Sequence, residues 1–251
     1  MDKPLWLSAT DSPQNLPPAC AALAEPNGLL AVGGSLEPEW LLTAYVQGIF
    51  PWYEAGQPIL WWSPDPRAVV RPGELHVSRR LQRTRRNSAV RMTADTEFAA
   101  VITACAAPRR YTAETWITPE ILDAYVAMHA LGWAHSFEAW LDGELIGGLY
   151  GIAIGKVFFG ESMFSRQTDA SKLAFVSCVE YLRDRGFGLI DCQVWSPHLR
   201  TFGARRIPRD AFLSLLTCLC TLPGRPHSWQ ADYDHYVGER AHSQHGSQQR
   251  A

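Results

Sequence analysis

Three polar side chains interrupt apolar runs. Glu161 lies within Val157-Phe158-Phe159-Gly160-Glu161-Ser162-Met163-Phe164, which reads as a β-strand, and Asp191 and Gln193 fall within the strand-like run Leu189–Trp195. Burying a bare carboxylate among Phe158, Phe159, Met163 and Phe164 costs on the order of several kcal/mol. Glu161 must therefore meet a cation or stay partly open; otherwise it is an ordinary edge-strand acid facing water. In an extended strand Ile190, Cys192 and Val194 face one way and Asp191, Gln193 and Trp195 the other. Asp191 and Gln193 then stand roughly 7 Å apart on one face. Metal chemistry has no comparable signature: the eight histidines are scattered, and the six cysteines include no C-x-x-C pair.

Two further groups could handle a nucleic acid. Arg79, Arg80, Arg83, Arg85, Arg86 and Arg91 crowd one segment that holds no acid, behind Ser78 as a helix cap. Arginines in a first turn oppose the helix dipole, so helix electrostatics did not select them. They form either a solvated basic face or phosphate contacts, and arginine in place of lysine favours phosphate. Trp52, Trp61 and Trp62 are held between prolines, from Pro51 to Pro64. Rigid aromatics serve equally as core or as stacking platforms.

Elements to carry these groups follow from periodicity. Residues 25–34, with their Gly-Gly pair and no following Lys-Ser, read as loop and turn and not as a phosphate loop. Ser35 and Pro38 open a helix that stops at Gly48, and Pro64-Asp65-Pro66 marks a domain boundary. Asp95 or Thr96 starts an apolar helix, and Thr118-Pro119 caps another that ends at Gly132. Strands follow over 134–141, 145–154 and 157–164, turned at Asp142-Gly143 and Gly155-Lys156. A helix from Asp169 or Ser171 to Gly186, the 189–195 strand, a short helix near His198 and an apolar helix from Pro208 to Cys220 complete the core. Residues 238–251 are polar and expected to be disordered.

The chain has 251 residues, 47% of them apolar, enough for one core plus a smaller unit. Its net charge of −2 argues against wholesale nucleic-acid coating but leaves room for a local basic site. Prolines interrupt the N-terminus, no run reaches membrane-spanning length, and the cysteines read as reduced; a soluble, cytoplasmic protein is expected. The fold class is α/β (α+β). A strand meander followed by helix, strand and helix is the order of acetyltransferase-like domains. In coenzyme-A enzymes of that kind a glycine loop at the strand-to-helix junction holds the pyrophosphate. Here that junction is Ser165-Arg166-Gln167-Thr168-Asp169-Ala170, without glycine and with an acid, so coenzyme A is a poor fit.

The chain resembles the bacterial leucyl/phenylalanyl-tRNA–protein transferases. The matching runs are Glu25-Pro26-Asn27-Gly28-Leu29-Leu30, Gly48-Ile49-Phe50-Pro51-Trp52, Trp61-Trp62-Ser63-Pro64-Asp65-Pro66-Arg67, Thr115-Trp116-Ile117-Thr118, Gly160-Glu161-Ser162-Met163-Phe164-Ser165 and Leu189-Ile190-Asp191-Cys192-Gln193-Val194. Ser196-Pro197 stands where the family carries Asn-Asp. The resemblance implies a small N-terminal domain (1–66) and an acetyltransferase-like (GNAT-like) mixed-sheet catalytic domain (67–237). It implies transfer of Leu or Phe, and less well Met, from aminoacyl-tRNA to proteins with N-terminal Arg or Lys, marking them for N-end rule degradation. Trp52 and Trp116 would hold the terminal adenosine of the tRNA, and Arg79, Arg80, Arg83, Arg85 and Arg86 its phosphates. Leu149, Phe158, Met163, Cys178 and Ile190 would line the amino-acid pocket. Glu161 and Asp191 would bind cations and Gln193 would orient the attacking amine, with no cofactor and no metal. The competing readings are a coenzyme-A-dependent N-acetyltransferase and a noncatalytic RNA-binding module, for which the polar face is superfluous.

Overall fold

The computed structural model describes residues 3–107, 115–222 and 226–248. The chain begins with β1 (Leu5–Leu7), β2 (Leu29–Gly33), helix α1 (Pro38–Val46), β3 (Phe50–Pro51) and β4 (Leu60–Trp62), whose strands form a sheet in the order β1-β2-β4-β3. The segment expected to be loop and turn therefore contains an inner strand, β2. Its Leu30, Ala31 and Val32 are buried, and burial against Trp61 outweighs the turn character of the flanking glycines. Trp61 is core, stacked on Trp40 at 6.1 Å. Trp52 is 45% exposed and leans on Trp62.

β5 (Arg67–Val70) starts the second sheet, followed by α2 (Arg79–Asn87), β6 (Arg91–Ala94), α3 (Phe98–Ala106) and α4 (Pro119–Ala130). Ser78 and Thr118 cap α2 and α4 as expected, accepting from Leu81 N–H and Ile121 N–H. Asp95 caps nothing; it is buried and accepts from the amides of Ser136 and Trp229. The meander β7 (Ala134–Leu141), β8 (Glu144–Ile154) and β9 (Val157–Ser165) leads through α5 (Ala170–Asp184) to β10 (Leu189–Asp191), α6 (Pro197–Arg200), β11 (Arg205–Ile207), α7 (Arg209–Leu219) and α8 (Gln230–Gln248). The sheet order is β11-β5-β10-β9-β8-β7-β6. Strand β8 is antiparallel to both β7 and β9, and β10 returns parallel to β9 after the crossover helix α5, as in an acetyltransferase-like domain. The tail expected to be disordered continues α8 as far as Gln248, and Arg240 pairs with Glu180; residues 249–251 lie outside the described residues.

Apolar side chains alternate along the strands, so each sheet face has its own core. Tyr150 joins α1, α3 and α4 on one side, while Leu149 and Phe158 join α5 on the other. Gly147 lets α5 approach: a Cβ there would come within 2.7 Å of Ala170 Cβ.

Two irregularities make the site. First, the β8–β9 register skips Glu161: Tyr150 lies opposite Ser162 and Gly151 opposite Gly160. Glu161 is thus the extra residue of a β-bulge, a device that re-aims a side chain. Second, β10 ends at Asp191 instead of running to Trp195. Beyond Asp191 the backbone stays with β5, through Cys192 N–H to Ala68 O at 2.9 Å and Ala68 N–H to Gln193 O at 3.2 Å. Meanwhile β9 runs on to Ser165. The sheet opens between them, and Gln193 turns the chain with φ of 59°.

Candidate active site

At this opening Glu161 receives three hydrogen bonds. Tyr45 Oη and Gln193 Nε2 donate to Oε1 at 2.7 and 2.8 Å, and Tyr125 Oη donates to Oε2 at 3.2 Å. The two tyrosine hydroxyls also hydrogen-bond each other; with one proton on each hydroxyl, all three contacts coexist only when the Glu161 carboxyl supplies the third proton. Both tyrosines are fully buried, on α1 and α4, and burial together with the Glu161 charge holds them protonated as donors. Burial also pushes the Glu161 carboxyl up to about 8; Asp191 adds to the rise, while the tyrosine hydrogen bonds and Arg67 oppose it.

Asp191 is not free to meet a substrate cation. Arg67 Nε and Nη2 donate to its two oxygens at 2.8 and 2.6 Å, and neither side chain has any solvent exposure. The Arg67 guanidinium lies between the rings of Phe50 and Phe212, at 4.7 and 4.6 Å, and donates to Gly48 O at 3.1 Å. Asp191 Oδ1 also accepts from Gln193 N–H at 2.9 Å. The expectation that Asp191 binds an acceptor cation does not fit this geometry, because both its oxygens are taken by Arg67 and the pair is sealed from solvent. Nor do Asp191 and Gln193 share a strand face, since the strand has ended and the left-handed turn at Gln193 sends its amide to Glu161.

Glu161 lines a cavity of about 450 Å³. Leu149, Phe158, Met163, Phe175, Ile190 and Leu199 supply apolar wall, and Trp116 and His198 also face it. Of the expected pocket residues, Leu149, Phe158, Met163 and Ile190 are in the wall. Cys178 is buried on α5 outside it. Trp116 reaches the cavity, whereas Trp52, just past β3 of the other sheet, does not line it. Tyr150 is also at the wall, and its buried hydroxyl has no hydrogen-bond partner among the described residues. Ser196 caps α6 by accepting from Leu199 N–H, with Pro197 opening the helix, so these two residues fix the far wall.

Sequence reasoning missed Arg67, Tyr45, Tyr125, Phe175, Leu199 and His198. An arginine beginning the run Ala68-Val69-Val70 was the one local signal among them. The tyrosines looked like any residues of an apolar helix face.

The arginines of α2 divide. Arg80 pairs with Asp169 and Arg85 with Glu180, while Arg79, Arg83 and Arg86 are exposed and form no ion pair among the described residues. At the N-terminus of α5, where a coenzyme-A pyrophosphate would sit, Asp169 is held by Lys172 at 2.6 Å and by Arg80 at 3.2 Å. An acid there repels the anion such a site must hold. Among the described residues no group of His, Cys, Asp and Glu could ligate a metal, and no helix is long and apolar enough to cross a membrane.

An apolar cavity beside a hydrogen-bonded carboxyl lies at the split in an acetyltransferase-like sheet, an arrangement compatible with group transfer. The sequence profile for leucyl/phenylalanyl-tRNA protein transferase matches residues 69–217, and that for its N-terminal domain matches residues 34–65. A leucyl/phenylalanyl-tRNA–protein transferase of Stutzerimonas stutzeri is 56% identical over 90% of this chain and 99% of its own length. Another, from Anaeromyxobacter sp., is 59% identical over 83% of this chain and 90% of its own. The chain belongs to the leucyl/phenylalanyl-tRNA–protein transferase family. Among solved structures, a GCN5-related N-acetyltransferase from Kribbella flavida aligns with 67% of this chain and 60% of that one, at 15% identity and a TM-score of 0.39.

Proposed function

We propose that this enzyme moves Leu or Phe, and less readily Met, from aminoacyl-tRNA to the α-amino group of proteins beginning with Arg or Lys, feeding N-end rule degradation in the cytoplasm. The observation that supports this most is a cavity where apolar wall meets Glu161, an acid that Gln193, itself outside the lining, holds by a hydrogen bond. Leu149, Phe158, Met163 and Ile190 take the donor side chain, with Phe175 and Leu199, and Cys178 backs the wall. Flexible Met163 beside phenylalanine adapts to Leu, Phe or Met. Trp116 stacks on the terminal adenosine, aided by Trp52, and Arg79, Arg80, Arg83, Arg85 and Arg86 meet phosphates of the tRNA.

The ester of an aminoacyl-tRNA is already activated, and the reaction needs a neutral amine held against it. The amine nitrogen bonds to the ester carbonyl carbon, the carbon–oxygen bond breaks, and the amine's surplus proton is shed as the 3′ hydroxyl leaves. With an ordinary pKa of about 8, on the order of a tenth of an α-amine is neutral at pH 7. Positioning is therefore worth more than a strong base. Gln193, fixed through Asp191 and Arg67, orients the amine or the tetrahedral oxygen.

Glu161 is the acid available to the acceptor. Its carboxyl holds a proton at neutral pH, and an arriving guanidinium or ammonium favours the ionised form, so acceptor binding releases a proton. A neutral terminal side chain gains nothing from that exchange, which gives preference for Arg and Lys. The test is transfer of radiolabelled Leu and Phe from their tRNAs to peptides beginning with Arg, Lys or Ala. Labelling of the first two and not the third is expected. Acetyl transfer from acetyl-coenzyme A without tRNA, or tRNA binding without transfer, overturns the reading.

A further inference from the structure

A second opening lies on the far side of α5 from the cavity. It is a cleft of about 660 Å³ among α2, the start of β6, α5 and α8, bordered by Arg85, Arg86, Arg91 and Arg240 and by the nearly buried Tyr236. Along α5, Leu173, Ser177 and Glu180 face the cleft while Phe175 faces the cavity, so the body of one helix, about 10 Å across, separates the two.

The cleft holds four cations against one anion in a chain whose net charge is −2. Glu180 is that anion. Burial works against its charge, but Arg85, which donates to both carboxylate oxygens at 2.7 Å, and Arg240, at 3.1 Å, hold it ionised. Asp184, outside the cleft lining, also reaches Arg240, at 3.6 Å, so two carboxylates serve four arginines; Arg86 and Arg91, both exposed, form no ion pair among the described residues and carry the unmatched charge. A groove walled by arginines, with an aromatic ring and the aliphatic Val90, Met92 and Val237 between them, fits a phosphodiester backbone.

We propose that this cleft is a second tRNA contact, taking backbone phosphates between Arg86 and Arg91 on one side and Arg240 on the other. The proposal rests on reading the chain as an aminoacyl-tRNA-using enzyme. It carries the RNA footprint past the exposed face of α2, onto the sheet edge at β6 and the C-terminal helix α8.

The test compares wild type with the double variants Arg91→Ala/Arg240→Ala and Arg91→Lys/Arg240→Lys. The alanine pair weakens Leu-tRNA binding roughly tenfold at low salt and lowers the slope of log affinity against log salt by about 1.5, while the lysine pair keeps most of both. Transfer from 3′-leucyl-adenosine, which reaches only the cavity, is the reference for a folded site and loses nothing comparable. Unchanged tRNA affinity and salt slope overturn the proposal. So does an equal loss with both donors, which assigns the arginines to packing of α8, or a raised KM for the acceptor alone, which assigns the cleft to the acceptor protein. If wild type transfers from neither donor the functional reading fails, and tRNA affinity still reports on the cleft.

Discussion

Arg67 and Asp191, 124 positions apart, form a two-point ion pair from which solvent is wholly excluded, and Asp191 in turn holds the backbone of Gln193. The pair thereby sets where the chain leaves β9 and where the Gln193 amide points. Its ledger is asymmetric: removing one partner strands a buried charge at a cost of about 3–5 kcal/mol. Asp191→Ala is expected to lose that much stability in urea unfolding. Asp191→Asn keeps an oxygen for Gln193 N–H, and its remaining transfer should preserve the Arg-over-Ala acceptor preference, whereas Glu161→Gln should abolish that preference.

Glu161 gives a pH signature. Its carboxyl is protonated below and ionised above about 8, so the KM for an Arg-initiated acceptor should fall as pH rises through that value. Glu161→Gln should remove this component and leave only the dependence set by the acceptor's own α-amine, with its ordinary pKa of about 8. The same shift acts on stability with a definite sign. A carboxyl raised on folding binds more protons in the folded state, so its contribution is complete below the unfolded pKa and is lost as pH climbs to about 8. Across that window wild type should lose up to ~1.4 kcal/mol per pH unit relative to Glu161→Gln in urea unfolding.

Tyr45→Phe removes a hydrogen bond that favours the ionised Glu161. The midpoint of the acceptor KM profile should therefore move above 8, and stability should fall by about 1–3 kcal/mol as the Tyr125 hydroxyl and Glu161 lose a buried partner. A midpoint that moves down, or stays, contradicts the assigned role.

Met163→Ala enlarges the cavity wall opposite Leu149. Donor competition should shift from Leu-tRNA towards Phe-tRNA by at least about tenfold, because a single methylene's fit in an apolar pocket is worth about 1–3 kcal/mol. Parallel loss of both donors would instead place Met163 outside the specificity pocket.

Trp116→Ala should raise the KM for aminoacyl-tRNA by about 5- to 150-fold, the value of one base stacked on an aromatic ring. Trp52→Ala should cost less, since Trp52 does not line the cavity. The comparison is read from initial rates at fixed acceptor.

Elements whose cause is local were legible in the sequence. Thr118 and Pro119 fix the start of α4, Asp142-Gly143 supplies the two positive-φ residues of a tight hairpin, and the long apolar runs of β8, β9 and α5 carry their own periodicity. So were Glu161, Asp191 and Gln193, as polar residues in apolar company, and the motifs that mark the family. Short strands such as β2, β6 and β11 were not, because three to five residues extend only when a distant partner pairs with them.

What each polar group does was decided by the tertiary structure alone. Strand alternation is a period-two rule that a bulge breaks, and only the β8 partner shows that Glu161 is the residue left over. Only the β5 partner shows that the chain parts from β9 after Asp191, opening the cavity. Arg67 claims the Asp191 charge across 124 positions, and Tyr45 and Tyr125 meet Glu161 from two helices with no local mark of it. The sequence could name the carboxylates; which is neutralised and which faces the cavity depends on charges and surfaces brought together only by folding.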